Sequence, residues 1–266
     1  MPPILTGNIS ALLAPDLYRV VVDVGMERPM EFPFWVNVID MPWRTITDQQ
    51  VSGPGTVPQK PENTVFPGDD PIIGGTKSYT AIPWGLSMEV SFESWDDELY
   101  GYLRDLMSML ARSSRNRSEV NAHNVLNEAF VTTNNVGFDS AALASTAHTA
   151  LDGRTAIANR PATDVGLSQT AIQNGLINFH DLTEERNLPQ LMSPSIILSG
   201  ATNVFVMREL LGSSGVPFST DNEMNSIIPD ELRWMVSHYI DTQTNWFMMA
   251  SKGVHDLNFP IRNRPV

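Results

Sequence analysis

The sequence contains no cysteine, which excludes a disulfide framework and any metal site built from thiolate ligands. Its first residues lack the basic segment of a secretory signal, and its apolar runs fall short of the roughly 20 residues that cross a bilayer. We therefore expect a soluble, cytoplasmic protein that makes no contact with membranes.

Lysine is scarce, and positive charge is the minority charge. The 17 basic residues comprise the three lysines Lys60, Lys77 and Lys252 and fourteen arginines, against 30 acidic residues, for a net charge of -13. This excess of negative charge argues against a dedicated DNA reader, because it repels polyanions at long range. The preference for arginine fits either carboxylate-binding interfaces between subunits or a bias of the genome.

Motifs that carry chemistry are also missing. The glycines between Gly68 and Lys77 do not have the spacing of a phosphate-binding loop, and residues 166–170 lack the closing glycine of a nucleophile elbow. The five histidines are far apart, and none forms the i, i+4 pair of a helical zinc site. We therefore predict no catalytic residue, cofactor or metal.

The chain does contain ample core material, and one stretch has clear helical periodicity. Of its 266 residues, 42% are hydrophobic. Leu99, Leu103, Leu106 and Leu110 recur at helical spacing, and an apolar stripe resumes from Val120. The pattern predicts one long amphipathic helix over residues 93–130, capped by Ser94, and at about 1.5 Å per residue it would be on the order of 55 Å long.

The segment before this helix, residues 41–92, is broken by seven prolines and six glycines. Leu86, Met88, Val90 and Phe92 alternate with polar residues, which predicts a strand over 86–92. We interpret the segment as a long two-stranded hairpin with an irregular tip. It has too little core to stand alone, and a second copy of the chain is the obvious support.

The two ends of the chain differ from this middle part. Residues 1–40 carry several prolines and an extended stretch at Tyr18–Val24, which favours an arm. After a loop-rich region at 131–166, the pattern predicts alternating helices and strands, as in a mixed α/β layer. The predicted elements are a helix capped by Ser168, a strand at 195–199, a helix at 201–211, and strands at 234–240 and 246–250.

A basic patch on the predicted long helix consists of Arg112, Arg115 and Arg117. One interpretation is a solvated helix face. The other is that these arginines meet acidic residues of a neighbouring copy, such as Asp69 and Asp70.

The order of these parts, without a catalytic motif, resembles the Hong Kong 97-like major capsid fold of tailed bacteriophages, an α+β fold. In detail the sequence is similar to the Mu-type major head subunit family. The matching motifs, over about residues 41–259, are Asp69-Asp70-Pro71, Lys77-Ser-Tyr-Thr80, Asp97-Glu98-Leu99-Tyr100-Gly101, Ser145-Thr-Ala-His148, Leu188-Pro189 followed by Ser195-Ile-Ile-Leu198, Glu209-Leu-Leu-Gly212, Asp221-Asn222-Glu223, Val236-Ser-His-Tyr239 and His255-Asp-Leu-Asn-Phe259.

The resemblance implies an amino-terminal arm (1–40), an extended loop (41–92), a spine helix of the peripheral domain (93–130), an axial domain (131–250) and a return towards the peripheral domain (251–266). In such a fold we expect an additional β-strand after Val266 that returns to the peripheral domain. The implied inter-subunit contacts are Asp69, Asp70, Lys77, Arg112, Arg115 and Arg117.

The resemblance also implies a function and partners. Hexamers and pentamers would assemble in the host bacterial cytoplasm into the icosahedral capsid of a virion. Partners would be the chain itself, scaffold, portal and decoration proteins, and packaged double-stranded DNA held by weak non-specific contact. Two alternatives stay open: an encapsulin-like shell around cargo enzymes, and a soluble hydrolase that uses His180 or His148.

Overall fold

The computed structural model describes residues 29–89, 91, 93, 101–134, 136–153, 157–213, 215, 225, 227 and 232–263. The predicted extended stretch Tyr18–Val24, the cap at Ser94 and the motif Asp221-Asn222-Glu223 lie outside these residues. The helices with described bounds are α1 (Tyr102–Asn127), α2 (Gln169–Asp181) and α3 (Val204–Gly212). The strands are β1 (Asn37–Asp40), β2 (Thr45–Val51), β3 (Ile73–Thr80), β4 (Pro194–Ser199), β5 (Arg233–Val236), β6 (Trp246–Ala250) and β7 (Asn258–Ile261).

The strands form three small sheets. Strand β4 lies at the centre of the largest sheet, parallel to β5 and antiparallel to β6. Strands β2 and β3 form an antiparallel hairpin, whereas β1 and β7, which are far apart in sequence, pair in parallel. Because the three helices pack on the three-stranded sheet, whose strands run in both directions, the α+β class is confirmed.

The core lies on both faces of β4, and successive side chains of the strand point to opposite faces. Ile196 and Leu198 pack with Trp35 and Leu126 of α1 on one face. Ile197 packs on the other face, against α2 and α3, in a cluster that includes Ile172 and Met207. A strand buried on both faces reads as a continuous apolar run, which is why 195–199 was predictable.

Helix α1 is shorter than the predicted helix. Gly101 has a φ of 73°, which is left-handed and not helical, so one continuous helix over 93–130 is wrong. The 26 residues of α1 span about 39 Å at 1.5 Å per residue. Its second half enters the core through Ala122, His123 and Leu126, whereas much of its first half is exposed.

The predicted strand at 86–92 is not observed over residues 86–89, and Val90 and Phe92 lie outside the described residues. The hairpin strands lie earlier, with Thr45 paired to Thr80. The hairpin ladder ends where the Ala81 N–H donates to the Arg44 carbonyl at 2.8 Å, and no backbone hydrogen bond among the described residues joins 86–89 to β2. The alternation marks extended chain without a partner strand, and Leu86 is exposed.

The α/β region follows the prediction with small changes. Ser168 caps α2 as predicted, with its Oγ accepting a hydrogen bond from the Ala171 N–H at 3.2 Å. A 3₁₀ turn at Ala201–Asn203 precedes α3. Strand β5 ends at Val236 and not at Ile240, because its partner β4 ends at Ser199, whose carbonyl accepts from the Ser237 N–H.

Residues just before β1 are buried in the core. Phe32 and Trp35, inside the segment predicted as an arm, are at most 2% exposed. Strand β1 then pairs with β7, so the described end of that segment joins the far end of the chain. The division into arm, loop, spine and axial domain stays a prediction.

Candidate assembly surface

The hairpin carries apolar side chains that the rest of the described chain does not cover. We call the exposed apolar side chains of residues 43–86 the hairpin surface. Val65 is 91% exposed and Phe66 is 80% exposed, both in the irregular tip between β2 and β3. The other large exposed apolar residues of this surface are Trp43, Val51, Val57, Ile73, Tyr79, Ile82, Trp84 and Leu86. Many large exposed apolar side chains in one segment are typical of an interaction surface.

The hairpin has no core of its own. Most residues on both faces of β2 and β3 are exposed. Its cross-strand contacts include hydroxyl pairs, Thr45 with Thr80 and Thr47 with Ser78, each at 3.2 Å between oxygens. A two-stranded ribbon of this kind is marginal in water, so its shape depends on what it rests against.

Part of that support comes from the body of the same chain. The Lys77 ammonium donates a hydrogen bond to the Val136 carbonyl and lies 5.9 Å from the Phe138 ring centroid. At Gly74 a Cβ would lie 2.5 Å from the Leu151 side chain, so glycine permits the close approach. Lys77, predicted at a subunit contact, thus has a partner within its own chain.

The acidic pair of the tip also has a partner in the same chain. Arg186 donates from Nη1 to Asp69 Oδ2 and from Nη2 to the Asp70 carbonyl oxygen, both at 2.5 Å. Asp69 accepts a further hydrogen bond from the Gly55 N–H at 2.6 Å. The Arg186 hydrogen bond, followed by the Gly55 one, lowers the pKa of Asp69. Arg186 gave no signal in the sequence, because its partners are 116 and 117 residues away.

The three arginines of the predicted basic patch lie on α1. Arg117 stacks on Trp84, with its guanidinium carbon 3.5 Å from the ring centroid, and so joins the helix to the hairpin surface. Arg112 is exposed and Arg115 is half-buried. Their meeting with acidic groups of another copy stays a prediction.

A buried polar network joins α1 to the end of the predicted arm and to β5. The Glu119 carboxylate accepts from the N–H groups of Glu31 at 2.6 Å and Phe32 at 3.1 Å. The His123 ring contacts the Glu119 carbonyl and the Ser237 hydroxyl, each at 2.9 Å. Burial raises the pKa of Glu119 and lowers that of His123. The i, i+4 spacing of Glu119 and His123 on the apolar face was the available sequence signal.

His123, His148 and His180 do not form a hydrolase site. His123 and Ser237 are both 0% exposed, out of reach of a substrate. His148 Nδ1 lies 2.9 Å from Asp139 Oδ2, but its Nε2 has no hydrogen-bond partner among the described residues, and so no nucleophile to activate. His180 is exposed at the end of α2.

The described residues also contain no group of histidine and acidic side chains able to hold a metal ion. None of the described helices combines the length and apolarity needed to cross a bilayer. An open cleft of about 550 Å³ lies beside the hairpin, lined by residues that include Gln50, Asp139, His148 and Arg186.

Solved phage particles contain subunits with a similar fold. One is from the procapsid of bacteriophage JBD30, with a TM-score of 0.62 and 13% identity, covering 89% of this chain and all of that one. Another is from the capsid of the same phage decorated with minor capsid protein trimers, with a TM-score of 0.60 and 10% identity, covering 90% of this chain and all of that one. No protein of curated function matches the sequence.

A family model described as phage capsid protein matches residues 74–261, well over half of the chain. The matched residues run from β3 through α1 and the three-stranded sheet to β7. The chain therefore belongs to the phage capsid protein family, as a structural protein of the virion capsid and not an enzyme.

Proposed function

We propose that this chain is the repeating subunit of a Hong Kong 97-like shell, in which hexamers and pentamers close around packaged double-stranded DNA. The observation that carries the proposal is the uncovered hairpin surface. It projects from a well-packed body, exposes apolar side chains at its tip, and lacks a core of its own. Burying it against copies of the chain would stabilise both the hairpin and the assembly.

The charge of the chain supports the same function. With a net charge of -13, the subunit binds packaged DNA weakly, which suits a container that must release its contents. Closed symmetry would limit the growth of the assembly. We further place Arg112, Arg115 and Arg117 at contacts between subunits, since Arg117 already lies against the hairpin surface through Trp84.

Scaffold and portal proteins would start and guide assembly in the host cytoplasm, as the sequence resemblance implies. Decoration is a further part of the proposal, because the similar JBD30 capsid carries minor capsid protein trimers. Decoration proteins would act on the assembled shell, whereas the hairpin surface serves contacts between copies of this chain.

Electron microscopy of the purified protein tests the proposal. We expect rings of five and six subunits and closed particles, with an assembled fraction that grows with protein concentration. Size-exclusion chromatography with light scattering gives the mass of the subunits and oligomers that have not formed closed particles. A monomer at every concentration would contradict the proposal, and particles filled with host enzymes and not DNA would favour an encapsulin-like shell.

A further inference from the structure

The turn after α2 presents two charged side chains to the hairpin. The Glu184 N–H donates to the Leu188 carbonyl at 2.8 Å, and the Asn187 N–H donates to the Glu184 carbonyl at 2.9 Å. Asn187 has a φ of 64°, and Thr183 forms a bridge with Pro189 that closes the turn. Glu185 and Arg186 therefore stand side by side at the tip of a short, hydrogen-bonded turn.

Glu185 binds the hairpin to the body near the end of β2. Its Oε1 accepts from Gln50 Nε2 at 2.7 Å. Its Oε2 accepts from the Leu151 N–H at 2.6 Å. Leu151 is also the residue that packs where Gly74 of β3 leaves room. One carboxylate thus links the hairpin to the loop region beneath it.

Arg186 binds the chain just before β3, through Asp69 and the Asp70 carbonyl. The arginine side chain is 15% exposed and the Asp69 side chain is 47% exposed, so solvent screens the charge pair and the contact depends mainly on its hydrogen-bond geometry. Two acceptors at fixed positions suit the planar fork of a guanidinium, which a lysine ammonium does not have.

These contacts define a hairpin clasp, made of Glu185 and Arg186. The clasp holds Gln50 on one side of the irregular tip and Asp69 on the other, so it closes the base of the tip. The hairpin has a second attachment where Lys77 donates to the Val136 carbonyl. A rod attached at two separated points has a fixed direction, whereas a rod attached at one point can swing.

We propose that Glu185 and Arg186 are positioning residues for capsid assembly: the clasp fixes the direction in which the hairpin projects, so that its tip meets the next copy at one angle. This inference rests on the proposed function, because the angle between neighbouring subunits decides whether a lattice closes and at what diameter. Fixing the hairpin before docking also lowers the entropy lost on binding.

Hydrogen–deuterium exchange on the unassembled subunit tests whether the clasp holds the hairpin. For Arg186→Ala we expect exchange over residues 52–72 to become faster by on the order of fivefold, with the three-stranded sheet unchanged. Arg186→Lys keeps the charge but not the fork, and we expect an intermediate rate. The matched control is Arg160→Ala, which removes another arginine–aspartate pair, Arg160 with Asp164 at 2.5 Å, away from the hairpin.

Electron microscopy of the same variants under assembly conditions tests the positioning role. We expect Arg186→Ala to give open sheets or a broad range of diameters at unchanged thermal stability, and Arg160→Ala to give particles like those of the unchanged protein. Unchanged exchange over 52–72 would overturn the clasp, and faster exchange with particles of normal diameter would overturn its positioning role. If the unchanged protein formed no particles, the proposed function would fail, while the exchange result would still decide whether the clasp exists.

Discussion

At the scale of single residues, the network around His123 has fewer donor hydrogens than hydrogen-bond contacts. The Ser237 hydroxyl donates to Glu31 at 2.7 Å, and His123 Nδ1 faces the Glu119 carbonyl, which only accepts. A neutral ring with its hydrogen on Nδ1 then has none left for the Nε2 contact to Ser237. A second proton would complete the network, but burial opposes it and lowers the pKa of His123.

This balance predicts how stability depends on pH. A histidine whose pKa is lowered in the folded state stabilises the fold above its unfolded pKa, near 6.5, and that contribution is lost as the pH falls. We expect the free energy of unfolding of the unassembled subunit, measured by urea denaturation, to decrease as the pH is lowered from about 7.5 to about 6.0. These two pH values lie above and below the unfolded pKa. His123→Gln should reduce the decrease, and half-buried His255, whose pKa is also lowered by burial, should account for part of what is left.

The control for this measurement is His180→Gln, which removes an exposed histidine at the end of α2. An equal pH dependence in His123→Gln and the unchanged protein would contradict the role of His123. The raised pKa of Glu119 acts in the opposite sense, stabilising the fold as the pH falls towards 4.5, so the variants are compared with the unchanged protein over the same pH range.

At the scale of elements, the hairpin tip allows assembly to be separated from folding. Val65 and Phe66 are largely exposed in the subunit, so replacing both with serine should change folding stability by no more than about 0.5 kcal/mol. If they are buried against another copy, each contributes about 2 kcal/mol, and the protein concentration needed for assembly should rise by about three orders of magnitude. Light scattering against concentration measures this shift.

Leu191→Ser is the matched control for the tip, because Leu191 is 97% exposed but lies outside the hairpin surface. We expect it to assemble at the normal concentration. Equal loss of assembly in the tip variant and in Leu191→Ser would mean that exposed apolar side chains promote assembly wherever they lie on the surface. The hairpin tip would then have no specific role in assembly.

The elements also show what local sequence determines. The α2 cap at Ser168 and the buried run of β4 depend on neighbouring residues, and both were predictable. The strand predicted at 86–92 is not observed over residues 86–89, because the alternation of apolar and polar residues does not show whether a partner strand is present. Gly101 interrupts a helical pattern that is continuous in periodicity alone. Arg186 and the β1–β7 pair depend on contacts more than 100 residues apart, which no local pattern reveals.

At the scale of the whole molecule, a net charge of -13 and an apolar hairpin surface act in opposite directions. Copies of the subunit repel one another, whereas their apolar tips attract. The Debye length falls from about 10 Å at 0.1 M salt to about 3 Å at 1 M, so salt weakens the repulsion more than it weakens apolar burial.

We therefore expect assembly to become faster and more complete as sodium chloride rises from about 0.05 M to about 0.5 M, where screening removes most of the long-range repulsion. Contacts dominated by arginine–carboxylate pairs would respond in the reverse direction, since salt screens attraction equally well. Light scattering at fixed protein concentration distinguishes the two, with sucrose of equal osmolality as the uncharged control. Assembly that weakens steadily with salt would assign the main contacts between subunits to Arg112, Arg115, Arg117 and their acidic partners, and not to the hairpin tip.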